Sequence, residues 1–200
     1  MRKVMNYVLF GVIGIFLAGC GTASKEIIIK ASRERANIFS EVKDESTPPP
    51  GSVDLLIRAS IKTHFEGYYI LESKESLHGK PGYPFVFNID GQGILWKAAG
   101  QEETAPVYDE KGERNPEGGM GMKYTIAKKI RLAAGPHLIF FGLPEDRYSV
   151  RFQLTLKEGD LRVLELKPVY RRNPRYRHKF EHGISKYEIF FDGYSILSRR

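Results

Sequence analysis

The sequence is very poor in cysteine. Cys20 is the only one among 200 residues, so no disulfide can form within the chain, and an exported domain must be held together by packing alone. The chain also has no G-x-S-x-G string, the usual setting of one class of catalytic serine. Its longest apolar stretch, residues 8–18, is about half of the ~20 residues that a membrane-spanning helix needs. The sequence therefore indicates neither a disulfide-stabilised domain nor a spanning helix.

The start of the chain has the order of a secretory signal. Two basic residues open it, residues 8–18 are mostly apolar, and small residues precede Cys20. The string Leu17-Ala18-Gly19-Cys20 resembles the lipobox of bacterial lipoproteins. The resemblance implies that a signal peptidase removes residues 1–19, that the Cys20 thiol receives a diacylglycerol, and that the new amino group receives a fatty acid such as palmitate. An ordinary signal peptide cut after Ala23, or a single membrane anchor, are the alternatives.

The implied lipid also predicts a location. One acyl chain binds a bilayer only marginally, whereas two or more chains give a stable anchor, so the mature protein would stay on a membrane through Cys20. Residue 21 is glycine, and the resemblance to bacterial lipoproteins implies that an aspartate there would retain the protein in the inner membrane. We therefore expect a lipid-anchored outer-membrane protein, facing either the periplasm or the outside.

The charge balance favours anionic partners. The chain carries 31 basic and 24 acidic residues, a formal net charge of +7. A moderate basic excess suits contact with lipid headgroups, cell-wall polymers or acidic polysaccharide. Nucleic acid is not expected as a partner of an exported protein.

A change in composition near residue 52 divides the mature chain. Residues 20–52 are polar, carry mixed charges and end in three prolines and a glycine. Consecutive prolines favour an extended, stiff rod, so we predict a lipidated flexible tether with a short helix over residues 32–42. Residues 53–200 form the predicted folded domain.

The domain shows the alternation of apolar and polar residues that is typical of half-buried strands. Asp90 and Gly91 separate two apolar runs, and this dipeptide is a strong signal for a hairpin turn. Residues 100–122 are rich in glycine and acids and are predicted to be a long exposed loop. The predicted strands cover residues 55–62, 67–71, 84–89, 93–97, 122–132, 137–142, 148–157, 161–167 and 187–191.

Short strands at turn-marked intervals, with no amphipathic helix after residue 52, predict an all-β fold, an antiparallel Ig-like β-sandwich, with a barrel as the alternative. Residues 132–140, 148–150 and 157–160 resemble the PEGA domain, a small sandwich of bacterial surface proteins. The sequence departs from that family at Arg147, where a glycine is usual, and in the long loop. The resemblance implies a structural or adhesive module, not an enzyme.

A basic and aromatic segment near the end of the chain is the candidate binding site. Arginines interleaved with aromatic rings suit phosphate, carboxylate or sugar groups. A solvated loop between the last two strands is the alternative interpretation. The candidate residues for anion or partner binding are Arg171, Arg172, Arg175, Tyr176, Arg177 and Lys179.

The same segment contains an H-x-x-E-H string, formed by His178, Glu181 and His182. In zinc peptidases this string needs a helix, so that both imidazoles share one face. Pro174 and Gly183 leave barely two turns for it. We therefore predict no metal, no cofactor and no catalytic residue.

The other histidines give no further signal for a site. His64, His78 and His137 have no evident acid partner by sequence, and His137 lies in an apolar strand as a packed residue. The resulting hypothesis is a non-catalytic envelope lipoprotein whose sandwich binds an envelope protein or an anionic polymer. The alternatives are a carbohydrate-binding module using Trp96 or Tyr176, and an enzyme with a site on its loops.

Overall fold

Two β-sheets packed around a common core make up the protein. The computed structural model describes residues 22–32, 34–43, 46–172 and 179–196. One sheet has seven strands and the other has four. The predicted all-β fold with two sheets is confirmed, and alternating or β-branched runs place one face of strands such as β8 in the core.

The described elements are mostly strands, with one short helix at the beginning. In chain order they are α1 (Thr22–Ile29), β1 (Phe39–Glu41), β2 (Ser52–Thr63), β3 (Tyr83–Ile89), β4 (Gln92–Ala98), β5 (Gly100–Ala105), β6 (Gly119–Ala133), β7 (Gly135–Leu143), β8 (Tyr148–Leu156), β9 (Gly159–Tyr170), a single 3₁₀ turn (Phe180–His182), β10 (Ile184–Phe191) and β11 (Tyr194–Ser195).

The seven-stranded sheet is mixed. Its order is β1-β6-β2-β9-β10-β11, and β5 also pairs with β6. Strands β2 and β6 are antiparallel from Ser52 opposite Ala133 to Thr63 opposite Met122. Strand β9, however, runs parallel to β2. The prediction of a purely antiparallel sandwich is wrong at this pair, because the chain crosses from the other sheet between β8 and β9 and enters β9 in the direction of β2.

The four-stranded sheet has the order β4-β3-β7-β8, and all its pairs are antiparallel. The predicted hairpin at Asp90 and Gly91 is confirmed. Both residues have positive φ angles, 49° and 95°, as the tight turn of a two-residue hairpin requires. The strands joined by this turn pair from Ile89 opposite Gln92 to Tyr83 opposite Ala98.

Aromatic side chains fill the space between the sheets. The ring of Phe141 on β7 lies 4.9 Å from the rings of both Phe87 and Tyr187, measured between centroids. Tyr187 belongs to β10 of the other sheet, so these contacts join the two layers. Tyr83 and Tyr124 make a second contact across the core, with centroids 4.8 Å apart. The core leaves no room for a ligand at this contact between the sheets.

Where it is described, the segment predicted to be a tether packs on the sandwich. Ile27 of α1 is buried with Val86 and Phe140 on the outer face of the four-stranded sheet. A Cβ atom on Gly142 would lie 2.5 Å from Ile27 Cγ2, so glycine is needed there for the helix to approach. The predicted helix over residues 32–42 is wrong, because β1 forms within that range and pairs with β6.

Two further predictions about the loops need correction. Residues 67–71 form turns instead of a strand, and Ile70 and Leu71 are almost fully exposed at 99% and 98%. The predicted loop over residues 100–122 contains all of β5 and the first residues of β6. Polar edge strands such as β5 lack the apolar alternation of half-buried strands, so composition alone indicates a loop.

Candidate functional site

A cavity at one end of the sandwich brings together most of the titratable side chains that point to chemistry. It is open to solvent, has a volume of about 590 Å³ and lies between the segment after β2, the β7–β8 turn and the 3₁₀ turn. The acidic and histidine side chains that line it are His64, Glu72, His78, Asp146, Glu181 and His182. A second groove, of about 500 Å³, lies under residues 115–117. Its lysines and glutamates are spread along the groove and do not form one cluster.

His64 follows directly after β2 and is held in one orientation. Its side chain is 5% exposed, and its Nδ1 lies 2.9 Å from the carbonyl oxygen of Phe65. A carbonyl can only accept a hydrogen bond, so Nδ1 carries a proton and donates. The other nitrogen, Nε2, faces Glu72 Oε1 at 3.5 Å. The rings of Tyr68 and Tyr69 pack against the imidazole and cover it.

Glu72 stands between two histidines. Its Oε1 accepts a hydrogen bond from Ser76 Oγ at 2.7 Å and lies 3.4 Å from His78 Nδ1. His64 Nε2, Glu72 Oε1 and His78 Nδ1 all lie within 4.8 Å of one another. The cluster therefore consists of two imidazole nitrogens that both face one carboxylate oxygen.

The position of His78 depends on the turn that contains it. Gly79 has a φ angle of +75°, and a Cβ atom there would lie 1.9 Å from the backbone nitrogen of Glu66. The Gly79 amide donates to Thr63 Oγ1 at 3.2 Å, and the His78 amide donates to Ser76 Oγ at 3.2 Å. Only glycine fits this turn, which brings the imidazole of His78 beside Glu72.

Asp146 faces the second nitrogen of His78. Its Oδ2 lies 3.5 Å from His78 Nε2 and accepts a hydrogen bond from the hydroxyl of Tyr83. Burial lowers the pKa of His78, but the nearby Asp146 carboxylate and the charges of Glu72 and Glu145 outweigh this and raise its pKa overall. The buried Tyr83 next to Asp146 has its pKa raised well above the ordinary value, by burial first and then by that carboxylate.

The predicted basic segment only partly reaches this cavity. Arg171 lines it and donates from Nε to the carbonyl oxygen of Ile184 at 3.0 Å, so this arginine also supports the backbone. Arg172 is exposed and Lys179 is half-buried. Cys20, Arg175, Tyr176 and Arg177 lie outside the described residues, as does the whole predicted signal peptide, residues 1–19.

In its described part, from Lys179 to His182, the H-x-x-E-H string forms a 3₁₀ turn and not an α-helix of the zinc-peptidase kind. Glu181 and His182 lie in the 3₁₀ turn, and His178 is outside the described range. The carbonyl oxygen of Glu181 accepts a hydrogen bond from Tyr69 at 2.8 Å. This contact ties the 3₁₀ turn to the loop that carries the histidine cluster, so both line the same cavity.

Trp96 and His137 are structural residues. The Trp96 side chain is 5% exposed and its Nε1 donates to Glu41 Oε1 at 2.9 Å. His137 is packed and hydrogen-bonded, as predicted, with Nδ1 2.7 Å from Asp90 Oδ2 and Nε2 2.9 Å from the carbonyl oxygen of Ala133. The prediction that His64, His78 and His137 lack acid partners is wrong, because each has a carboxylate within 3.5 Å.

The sequence prediction missed His64, Glu72 and His78 as a group. These residues come from one irregular segment of fifteen residues, and that short spacing of ligand-type residues was the available signal. No described helix is long and apolar enough to cross a membrane. In comparisons with known proteins, no family model, no curated protein and no solved structure matches the chain, so the lipobox and PEGA resemblances stay predictions.

Proposed function

We propose that this chain is a lipid-anchored protein of the bacterial envelope, with a β-sandwich that serves as a non-catalytic binding or assembly domain. The observation that carries the proposal is the single cysteine placed at the end of the lipobox-like string. A thioether to diacylglycerol at Cys20, together with a chain on the amino group, would give a stable anchor. The outer membrane is the proposed location.

The docked helix supports a close association with the membrane. Helix α1 begins at Thr22, two residues after Cys20 in the sequence, and its Ser24 Oγ donates to the carbonyl oxygen of Pro144 at 2.8 Å. Two residues span at most about 7 Å. A lipid on Cys20 would therefore place the β7–β8 turn near the bilayer surface, without a long tether between them.

The packing of the sandwich supports a binding role at the surface. Large aromatic side chains fill the contact between the sheets, so the outer surface and the end cavity are the places that we propose for a ligand. The carbohydrate-binding alternative loses one of its two aromatic contact residues, since Trp96 is buried. An envelope protein or an anionic polymer remains the proposed partner, with the basic segment after β9 as its contact.

Replacing Cys20 by serine tests the anchor. Serine has no thiol to form the thioether, so Cys20→Ser should lose all labelling by an alkyne-bearing fatty acid and should be released from the membrane or mislocalised. Thermal unfolding of the domain should not change. The measurement is in-gel detection of the label, with the two fractions assayed separately.

A second variant separates the position of the thiol from its presence. Ser32 is exposed, and Ser32→Cys in the Cys20→Ser background restores one thiol twelve residues further along the chain. This double variant should stay unlabelled. Continued labelling of Cys20→Ser together with unchanged membrane retention would show that the proposed anchor does not exist.

Charge reversal in the basic segment tests the partner contact. Arg172→Glu with Arg175→Glu replaces two cations by anions, and each charged contact contributes about 1.5–3 kcal/mol. Recovery of the soluble domain with isolated envelopes should therefore fall at least about tenfold, while the thermal midpoint changes little. A matched control, Lys97→Glu with Lys157→Glu, makes the same charge change at two exposed sites elsewhere, one on β4 and one directly after β8. Equal loss in both variants would mean that net charge, not this segment, governs the interaction.

A further inference from the structure

The histidine cluster has the spacing of a metal site. Ligand atoms around a tetrahedral zinc ion, bound at about 2.0–2.2 Å, lie roughly 3.3–3.5 Å from one another. His64 Nε2 and His78 Nδ1 lie 3.5 Å and 3.4 Å from Glu72 Oε1. The two nitrogens lie within 4.8 Å of each other. Side-chain rotations that move these three atoms by about one ångström or less would bring all of them within bonding distance of one ion.

The hydrogen-bond roles around the cluster leave acceptors facing acceptors. Nδ1 of His64 donates to the Phe65 carbonyl, so in the neutral ring Nε2 has no proton and carries a lone pair. This lone pair faces Glu72 Oε1 at 3.5 Å. Two acceptors at that distance repel unless a proton or a cation lies between them. His64 is almost fully buried, so water does not easily relieve this contact.

The second histidine repeats the arrangement. His78 faces Glu72 with Nδ1 and Asp146 with Nε2, and a neutral imidazole has one N–H for these two carboxylates. Nε2 is buried and makes no hydrogen bond, although the Asp146 oxygen is 3.5 Å away. With the proton on Nε2, directed at Asp146, the lone pair on Nδ1 points at Glu72. A carboxylate behind a histidine is the usual support for a metal-binding imidazole.

We infer that the end cavity holds a divalent transition-metal ion, with His64 Nε2, Glu72 Oε1 and His78 Nδ1 as its three protein ligands. A set of two imidazoles and one carboxylate suits zinc, whereas calcium and magnesium prefer oxygen ligands throughout. The Phe65 carbonyl and Asp146 orient the two imidazoles. The fourth position opens into the cavity, towards Glu181 and His182, and takes water or a partner's donor group.

None of the three ligands belongs to the lipid anchor or to the basic segment, although Arg171 of that segment lines the same cavity. The ligands come from one loop, and the Leu77 amide donates to Glu145 Oε2 at 3.1 Å, which fixes that loop on the β7–β8 turn. A bound ion would therefore fasten the loop to the end of the sandwich. Metal binding should stabilise the folded state by mass action, because the unfolded chain does not hold the three ligands together.

Titration of zinc chloride into the full mature chain, purified without a histidine tag and treated with chelator, tests the inference. We expect one Zn²⁺ per chain with micromolar or tighter affinity, and a rise of the thermal midpoint on saturation. Cobalt substitution should give the visible absorption bands of a tetrahedral Co²⁺ ion with nitrogen and oxygen ligands. Glu72→Gln keeps the size of the side chain and should weaken zinc binding at least about tenfold, and His64→Gln should do the same.

His137 provides the control. It is another buried histidine beside a carboxylate, but it lies outside the cavity, so His137→Gln should leave the zinc affinity unchanged. Failure of the intact chain to bind zinc at one-to-one stoichiometry would overturn the inference, as would equal affinities of the intact chain and Glu72→Gln. Nitrogen-15 spectra that show both imidazole rings doubly protonated at neutral pH with zinc present would also overturn it, because protons would then balance the carboxylates.

Discussion

Phe141→Ala is expected to lower the free energy of unfolding by about 3–5 kcal/mol, which is the usual cost of emptying a buried aromatic site. The Phe141 side chain is fully buried. Its ring contacts Phe87 in its own sheet and Tyr187 in the other. The substitution would therefore leave a cavity where the two layers meet. Urea denaturation followed by fluorescence of Trp96 gives the value.

An exposed position on the same strand supplies a matched control. Leu138 lies on the same strand, β7, but is 49% exposed. Leu138→Ala should change the free energy of unfolding by no more than about 0.5 kcal/mol. If the two variants differed by less than about 1 kcal/mol, the aromatic contact between the sheets would not be the main source of stability.

The sequence predicted the strands that bury one face. In β8, alternating residues from Phe152 to Leu156 are buried and those between them are exposed, and this period of two is a local property of the chain. The edge strands β1 and β5 were missed, since they are short or polar and carry little of that signal. The parallel pairing of β2 with β9 could not be predicted either, because it depends on how two distant segments cross between the sheets.

The candidate cavity is also hard to predict from the sequence, because it depends on contacts between distant segments. His64, Glu72 and His78 lie within one segment, but Asp146 follows 68 residues after His78 and reaches it only through the β7–β8 turn. The run at residues 68–71 looked like a strand because it is apolar and aromatic. Its tyrosines instead pack beside His64, while Ile70 and Leu71 extend into solvent.

Lys62→Met is expected to cost about 3–6 kcal/mol of stability. Lys62 is fully buried, and its Nζ donates to the carbonyl oxygens of Glu117 and Gly119 at 2.9 Å and 2.8 Å. Methionine fills a similar volume but leaves both carbonyls without a donor, and each lost charged hydrogen bond costs about 1.5–3 kcal/mol. The ion pair with Glu103 is expected to contribute less, because the Glu103 side chain is 41% exposed although its paired Oε2 is buried, so a small rotation can bring the carboxylate into water. Denaturant unfolding measures the total.

The loss should be concentrated in the loop that joins β5 and β6. The amide of Lys62 donates to Tyr170 Oη, which in turn donates to Glu117 Oε1, so the lysine and the tyrosine together hold this loop on the seven-stranded sheet. Amides of residues 106–118 should exchange hydrogen faster in Lys62→Met.

A surface lysine and a double-mutant cycle distinguish burial from charge. Lys128 pairs with Glu41 at 3.6 Å on the surface, and Lys128→Met should cost no more than about 1 kcal/mol. Combining Lys62→Met with Glu103→Gln should give a coupling energy below about 1 kcal/mol, because the carbonyl contacts carry most of the effect. A coupling close to the full cost of Lys62→Met would instead assign the stability to the ion pair and contradict the role given to the two carbonyls.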